Sequence, residues 1–214
     1  MVKRALALFD FDGTMAAGDS IVPYIKRAFI KGLIPWYMLP KIAFSAVAGL
    51  IKIVPHKTAK SWSLSFLAKL SQEQKEILAK EFIEQELLGS IYPKALEHIF
   101  MHQSRGDAVI IVSASPDCYM KYLSNYLPLD AVLASKTTDK GKVLYNLKGE
   151  EKPKKIKEWL EANNTEPDWE NSFAYGDSDH DSPMMDMVKN PVMVNPKPAL
   201  QKKRPDWRLE KWEA

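Results

Sequence analysis

The chain has 214 residues, a formal net charge of +3 and a single cysteine, with 46% hydrophobic and 27% charged residues. That composition can bury a sizeable core in one domain of ordinary size, with room for an insertion, and it excludes a disordered chain. A mild positive balance carries no nucleic-acid footprint, and a lone thiol at Cys118 excludes an internal disulfide framework and fits a reducing cytoplasm. Lys3 and Arg4 precede only about five apolar residues, too few for the core of an export signal, so a cytoplasmic location is expected.

The apolar run Ala5-Leu6-Ala7-Leu8-Phe9 reads as a buried parallel strand, cut off by a turn at Asp10-Phe11-Asp12-Gly13-Thr14. From about residue 19 to 90 helical periods take over, across 21–31, 36–54, 58–70 and 72–88, punctuated by Pro35, Pro40 and Pro55. Ser71 with Gln74 has the form of a capping box opening the last of these helices, and Gly89 is placed as its stop. From Tyr92 onward strands and helices alternate. A helix starts near Pro93, followed by a strand over 107–113, a helix over 117–126 and a strand over 131–134. A hairpin over 136–148 turns at Asp139-Lys140-Gly141-Lys142, and a helix over 154–162 precedes strands over 172–175 and 191–194.

This alternation predicts an α/β fold, a Rossmann-like open parallel sheet flanked by helices, with an inserted helical cap. The expected division is 1–16 with 90–214 as the core and 17–89 as the cap. The longest charge-free run in the cap is 42–51, and a bilayer span takes about 20 apolar residues. No transmembrane segment is expected. A cap with its own small core is the simplest account of this stretch. Trp36 and Tyr37 beside lysines also suit peripheral contact with a membrane surface.

In an open parallel sheet the site forms at the carboxyl ends of the strands. The first strand here ends at Asp10 and Asp12, and the second in Val112-Ser113-Ala114-Ser115. Another ends in Tyr175-Gly176-Asp177-Ser178-Asp179-His180-Asp181, and Gly149-Glu150-Glu151-Lys152 opens a helix before it. Two carboxylates two positions apart at a strand end need a cation or a shared proton. Acids, a hydroxyl and a lysine on one edge suit phosphoryl transfer, which demands positioning and neutralisation of charge.

In order and spacing, Asp10-Phe-Asp-Gly-Thr14, Ser113, Lys152 and Gly176-Asp-Ser-x-x-Asp181 resemble the motifs of the haloacid dehalogenase superfamily. The resemblance is to its phosphoserine-phosphatase-like branch (subfamily IB), and it extends over nearly the whole chain, including Val194-Asn195-Pro196. It implies a Mg²⁺-dependent phosphatase acting on a small phosphomonoester. On that resemblance Asp10 is the nucleophile that becomes an aspartyl phosphate, and Asp12 protonates the leaving oxygen and then activates water. The Asp10 carboxylate, the Asp12 backbone carbonyl and Asp177 hold Mg²⁺. Ser113 and the N–H of Ala114 bind phosphoryl oxygens, Lys152 offsets negative charge, and Asp181 orients the metal shell or Lys152 from behind. An acid at position 12 favours hydrolysis, because relatives that keep their phosphoaspartate lack one there.

Other features have plainer readings. Asp177-x-Asp179-x-Asp181 imitates the start of a calcium loop, but Ser182 and Val188 stand where that loop needs Gly and Glu. Asp179 is read as an exposed acid, His180 stands where many relatives have Asn, and Cys118 is read as packing. His98 and His102 have i, i+4 spacing but no third metal ligand of matching context. Ser115 either reaches the site or caps the next helix. Lys202-Lys203-Arg204 is read as solvated surface, with attraction to anionic lipid headgroups as the other reading.

Asp19, at the entry to the cap, lies where phosphoserine phosphatases resembling this chain hold the substrate amine. Those enzymes add a cap arginine for the carboxylate, and Arg27 is the only arginine in this cap. The expected partner is a small phosphorylated substrate, with an amine-bearing one favoured by Asp19, and no nucleic acid. A lipid-phosphate phosphatase at the membrane surface and a non-catalytic phosphate- or metal-binding module are the alternatives.

Overall fold

In the computed structural model, which describes residues 2–51 and 53–213, the amino-terminal run splits into two strands. β1 (Val2–Arg4) stands apart, whereas β2 (Leu6–Phe9) enters the middle of the main sheet. Four helices come next: α1 (Ile21–Ile30), α2 (Leu39–Leu50), α3 (His56–Ser63) and α4 (Gln72–Phe82). Then follow α5 (Pro93–Ser104), β3 (Ala108–Pro116), α6 (Asp117–Met120) and β4 (Ala131–Ser135). The rest is α7 (Glu151–Ala162), β5 (Thr165–Pro167), β6 (Phe173–Gly176), α8 (Ser182–Met185), β7 (Asn190–Val194), α9 (Pro198–Lys203) and β8 (Arg208–Glu210).

The main sheet has the order β4-β3-β2-β6-β7-β8 with every pairing parallel, and β1 pairs with β5 in a separate two-stranded ladder. This is the expected open parallel sheet. Its strands read as continuous apolar runs because both faces are covered. Ala7, Phe9, Val109, Ile111 and Tyr175 face one core, which is continuous with Tyr24, Phe66 and Phe82 of the helical layer. Leu6, Leu8, Ile110, Val112 and Ala174 face the other, against Ile156 and Leu160 of α7. The period of two sorts neighbours to opposite faces.

Several expected elements change at their ends. The helix expected over 36–54 begins as a 3₁₀ turn, Trp36–Met38, and stops at Leu50. The one over 58–70 starts earlier, at His56, and breaks into a 3₁₀ turn, Ser65–Lys69. α4 does open with the capping box: Gln74 N–H donates to Ser71 Oγ at 3.1 Å and Ser71 N–H to Gln74 Oε1 at 2.9 Å. Gly89 is not its stop. The helix loosens into a π turn, Ile83–Leu87, and a 3₁₀ turn, Leu88–Ser90, with Gly89 inside the latter. What ends it is the extended Ile91-Tyr92 pair, whose Tyr92 N–H donates to Met15 O at 2.9 Å just ahead of Pro93.

The hairpin over 136–148 reduces to one antiparallel bridge, Thr137 with Val143. That bridge is flanked by two cross-strand bonds, Thr138 N–H to Lys142 O at 2.8 Å and Leu144 N–H to Lys136 O at 2.8 Å, so the hairpin is present but short; beyond it Leu147 N–H donates to Ser135 Oγ at 2.9 Å. Among the described residues no helix is long and apolar enough to cross a membrane.

Candidate active site

Because β2 lies between β3 and β6, the segments leaving these three strands meet at one sheet edge. Asp10 follows β2, Ser113 and Ala114 lie toward the end of β3, and Asp177 follows β6. Asp10 N–H donates to Tyr175 O at 2.9 Å and ties the first acid to the neighbouring strand. Gly13 turns the chain at φ +86°, and a Cβ there would stand 2.6 Å from Asp177 Oδ2. Only glycine lets the two loops approach so closely.

Lys152, 1% exposed in the first turn of α7, donates to Asp10 Oδ1 at 2.6 Å and to Asp181 Oδ1 at 2.7 Å. Asp181 is held in turn by Ser178, through its N–H at 3.0 Å and its hydroxyl at 2.7 Å. Gly149 N–H donates to His180 O at 3.1 Å, fastening the segment before α7 to the acid loop. Oxygens of Asp10, Asp177 and Asp181, all buried, lie within 4.8 Å of one another.

One buried ammonium does not neutralise three buried carboxylates. Burial, together with Asp181, pushes the Asp10 carboxyl up to about 7 in spite of Lys152. Burial also raises Asp177, against the pull of Lys197, whose Nζ sits 2.5 Å from Asp177 Oδ2. For Asp181 the effect of burial is outweighed by Lys152, and its carboxyl is held below the usual range. Burial would lower Lys152, but Asp10 and Asp181 more than reverse this and hold its ammonium raised.

The Asp12 carboxylate belongs to a different set of contacts. It accepts from Ser20 N–H at 2.9 Å and from the Ser115 hydroxyl, and burial and Asp19 raise its pKa. Ser115 therefore reaches the site, and Pro116 is the residue at the N-cap of α6. Ser113 is buried, and its hydroxyl accepts from Ser115 N–H at 3.0 Å; Ala114 lines the open cleft beside it. Asp19 lines the cleft as well, while its Oδ1 accepts from Ile21 N–H at 3.1 Å at the start of α1.

The cleft has a volume of about 510 Å³, with the acids on the sheet side and His56 and Lys60 of α3 on the other. Lys60 donates to Ala114 O at 2.7 Å and to Asn146 Oδ1 at 3.0 Å, and burial lowers its pKa. Sequence reasoning missed His56, Lys60, Asn146 and Lys197. The i, i+4 spacing of His56 and Lys60 and the strand-end rule for Lys197 were the available signals. Arg27 is not in the cleft. It is committed within the helical layer to Glu86 at 2.9 Å, Glu81 at 3.5 Å and Gln85 at 2.6 Å.

The plainer readings also find their places. Asp179 is exposed and pairs with Lys203 at 2.7 Å. Burial and Asp117 push the Cys118 thiol up to about 12, which leaves it an inert packing group. His102 bridges Asp107 at 2.7 Å and Tyr175 Oη at 2.8 Å, and His98 lies 3.1 Å from the same hydroxyl and 3.2 Å from Glu210.

A family profile described as haloacid dehalogenase-like hydrolase matches residues 7–186. A histidinol-phosphatase of Neisseria meningitidis serogroup C (strain 8013) is 25% identical over 215 residues, covering 93% of this chain and 94% of that protein. A protein of unknown function from Bordetella pertussis Tohama I has a solved structure that superposes with a TM-score of 0.83 at 20% identity, covering 97% and 98% of the two chains. A phosphoserine phosphatase, solved as a phospho-aspartyl intermediate analogue, superposes with a TM-score of 0.65 at 22% identity, covering 99% and 95%. The two superpositions establish a shared fold. The profile spans most of the sequence, and the chain belongs to the haloacid dehalogenase-like hydrolases, as a phosphoric monoester hydrolase.

Proposed function

We propose that the protein is a Mg²⁺-dependent phosphomonoesterase that works through a phosphoaspartate on Asp10 and takes a small amine-bearing substrate. The observation that carries this reading is the buried trio Asp10, Asp177 and Asp181, with oxygens within 4.8 Å and Lys152 shared by only two of them. Hard oxygen donors with a buried excess of negative charge fit a divalent cation of the Mg²⁺ kind. Asp10, Asp177 and the Asp12 carbonyl would hold it, and it would supply charge neutralisation around the nucleophile and the phosphoryl oxygens.

The chain's own groups then divide the work. Lys152 aims Asp10 and favours its ionised form, and Asp181 orients Lys152. An Asp10 oxygen attacks phosphorus while the bond to the substrate oxygen breaks. Asp12, with its raised pKa, is suited to hand a proton to that leaving oxygen and then to take one from the water that cleaves the phosphoaspartate. The Ser113 hydroxyl accepts from Ser115 N–H, which leaves its own proton for a phosphoryl oxygen beside the Ala114 N–H. Residues 17–89 act as a cap over a core of 1–16 and 90–214, and keep bulk water from the reaction.

Asp19 in the cleft supports an amine on the substrate. No arginine lines the cleft among the described residues, and Arg27 is engaged elsewhere, which favours an amine without a neighbouring carboxylate over phosphoserine. A histidinol-phosphatase among the relatives is in keeping with that preference. The test is phosphate release from a panel of phosphomonoesters with and without Mg²⁺. Stimulation by Mg²⁺ is expected, with a loss on the order of 10³-fold or more in Asp10→Asn. Wild-type-like turnover in that variant would refute the reading.

A further inference from the structure

From Ser20 to Gln72 the sequence contains no Asp or Glu, against eight Lys or Arg, of which Arg27 and Lys31 pair with Glu81 of α4 and Lys60 turns into the cleft. The same stretch carries most of the large apolar side chains that remain exposed among the described residues. On α2, Ile42, Ser45 and Ala48 turn inward, and Ser45 Oγ lies 2.6 Å from Ser63 Oγ of α3. Phe44, Val47 and Ile51 form an outward stripe at helical spacing and are 56%, 55% and 60% exposed. Trp36, 81% exposed, and Tyr37 stand ahead of the stripe, and exposed Ile53 follows it. Lys41 and Lys57 are exposed at its flanks. Single apolar residues on a surface are ordinary, whereas a row of them on one helix face, preceded in the chain by an exposed Trp–Tyr pair, marks an interaction face.

We propose that this face of α2, with the Trp36–Tyr37 turn, docks on a bilayer surface rich in anionic lipid headgroups. The stripe enters the boundary between headgroups and acyl chains, the two aromatic rings sit at the interface, and the lysines meet the anionic headgroups. Charge selects this occupant over a second copy of the chain. Two such faces in contact would bring basic segments together with no carboxylate in either to meet them. The contact is peripheral, since no described helix can cross a bilayer. α3 lies between the docking face and the cleft: Ala59 and Ser63 pack toward α2, while His56 and Lys60 line the cleft. Docking therefore does not rest on the proposed chemistry.

The experiment is flotation of the full chain with vesicles of phosphatidylglycerol in phosphatidylcholine, against vesicles of phosphatidylcholine alone. Partition is expected to be about tenfold or more greater on the anionic vesicles and to fall as salt is raised. The triple change Phe44→Ser, Val47→Ser, Ile51→Ser should lower it by about tenfold or more, while hydrolysis of a soluble aryl phosphate stays at the wild-type rate. Trp36→Ser alone reads the same loss should the triple variant not fold. Asp10→Asn should float like the wild type, which separates docking from catalysis. No flotation with anionic vesicles, flotation unchanged in the variants, or sedimentation showing that the stripe joins two copies of the chain would each overturn the proposal.

Discussion

Lys152 holds two carboxylates on one ammonium, and this makes it the residue on which the site's electrostatics turn. Replacing it with methionine keeps the length of the side chain and leaves Asp10 and Asp181 buried without a counter-charge. The expected cost is about 3–5 kcal/mol in urea unfolding without divalent ions. Mg²⁺ should restore part of that loss, because a cation held by Asp10 and Asp177 relieves the same repulsion. Asp19 is a different case, since it is exposed and its neighbours are the cleft and the start of α1. Asp19→Ala should raise KM for amine-bearing phosphomonoesters by about tenfold, the worth of one charge-assisted contact, and leave amine-free esters unchanged. A uniform loss across all esters in steady-state kinetics would assign Asp19 to the fold instead.

At the scale of elements, the tip of the short hairpin around Gly141 packs against the helical layer. Gly141 has φ +78°, and a Cβ there would lie 2.1 Å from Leu64 O at the end of α3. The backbone of the turn presses directly on the backbone of the helical layer. Gly141→Ala adds both a left-handed strain and a clash with main chain that cannot swing aside. A loss of about 1–3 kcal/mol is expected, read as a fall in melting temperature. The expected hairpin is there but ends at Leu144: Val143, whose N–H points away from the opposite arm, donates to Ser61, and Leu147 donates to Ser135, so the second arm turns to other elements.

Across the whole molecule, a polar chain runs from buried Asp107 through His102 and Tyr175 to half-buried His98 and Glu210, and Glu210 accepts from the Trp212 ring N–H at 2.8 Å. It ties α5 and the two halves of the sheet to the end of the described chain. Burial lowers both histidines from the ordinary 6.5, in spite of Asp107 and Glu210. Below 6.5 the unfolded chain thus binds more protons than the native one, and stability is lost as pH falls through that window. Asp10 acts in the opposite sense. With its carboxyl raised from 3.8 to about 7, the native state holds the extra proton, and stability falls as pH rises across that range. An Asp10→Asn background removes the opposing contribution of Asp10: the urea midpoint should drop between about pH 7 and pH 5, and drop less steeply when His98→Gln is added.

Lys152, at a helix start, was legible only through its order and spacing among the acid motifs. Asp10, Asp12 and Asp177 were legible along the chain because an apolar strand that stops in a polar residue is a local signal, and parallel sheets gather such ends. The long strands and amphipathic helices were legible for the same reason, whereas β1, β5 and β8 have three residues each, too few to show a period. What the sequence could not determine was which partner each face would meet. Lys60 enters the cleft because α3 lies over Ala114 and Asn146, Lys197 reaches Asp177 because β7 lies beside β6, and Arg27 is withdrawn by acids in and just after α4. Periodicity states which side chains share a face. Only packing between elements distant in the chain decides what that face touches, and with it the ionisation and reach of the groups around the acids.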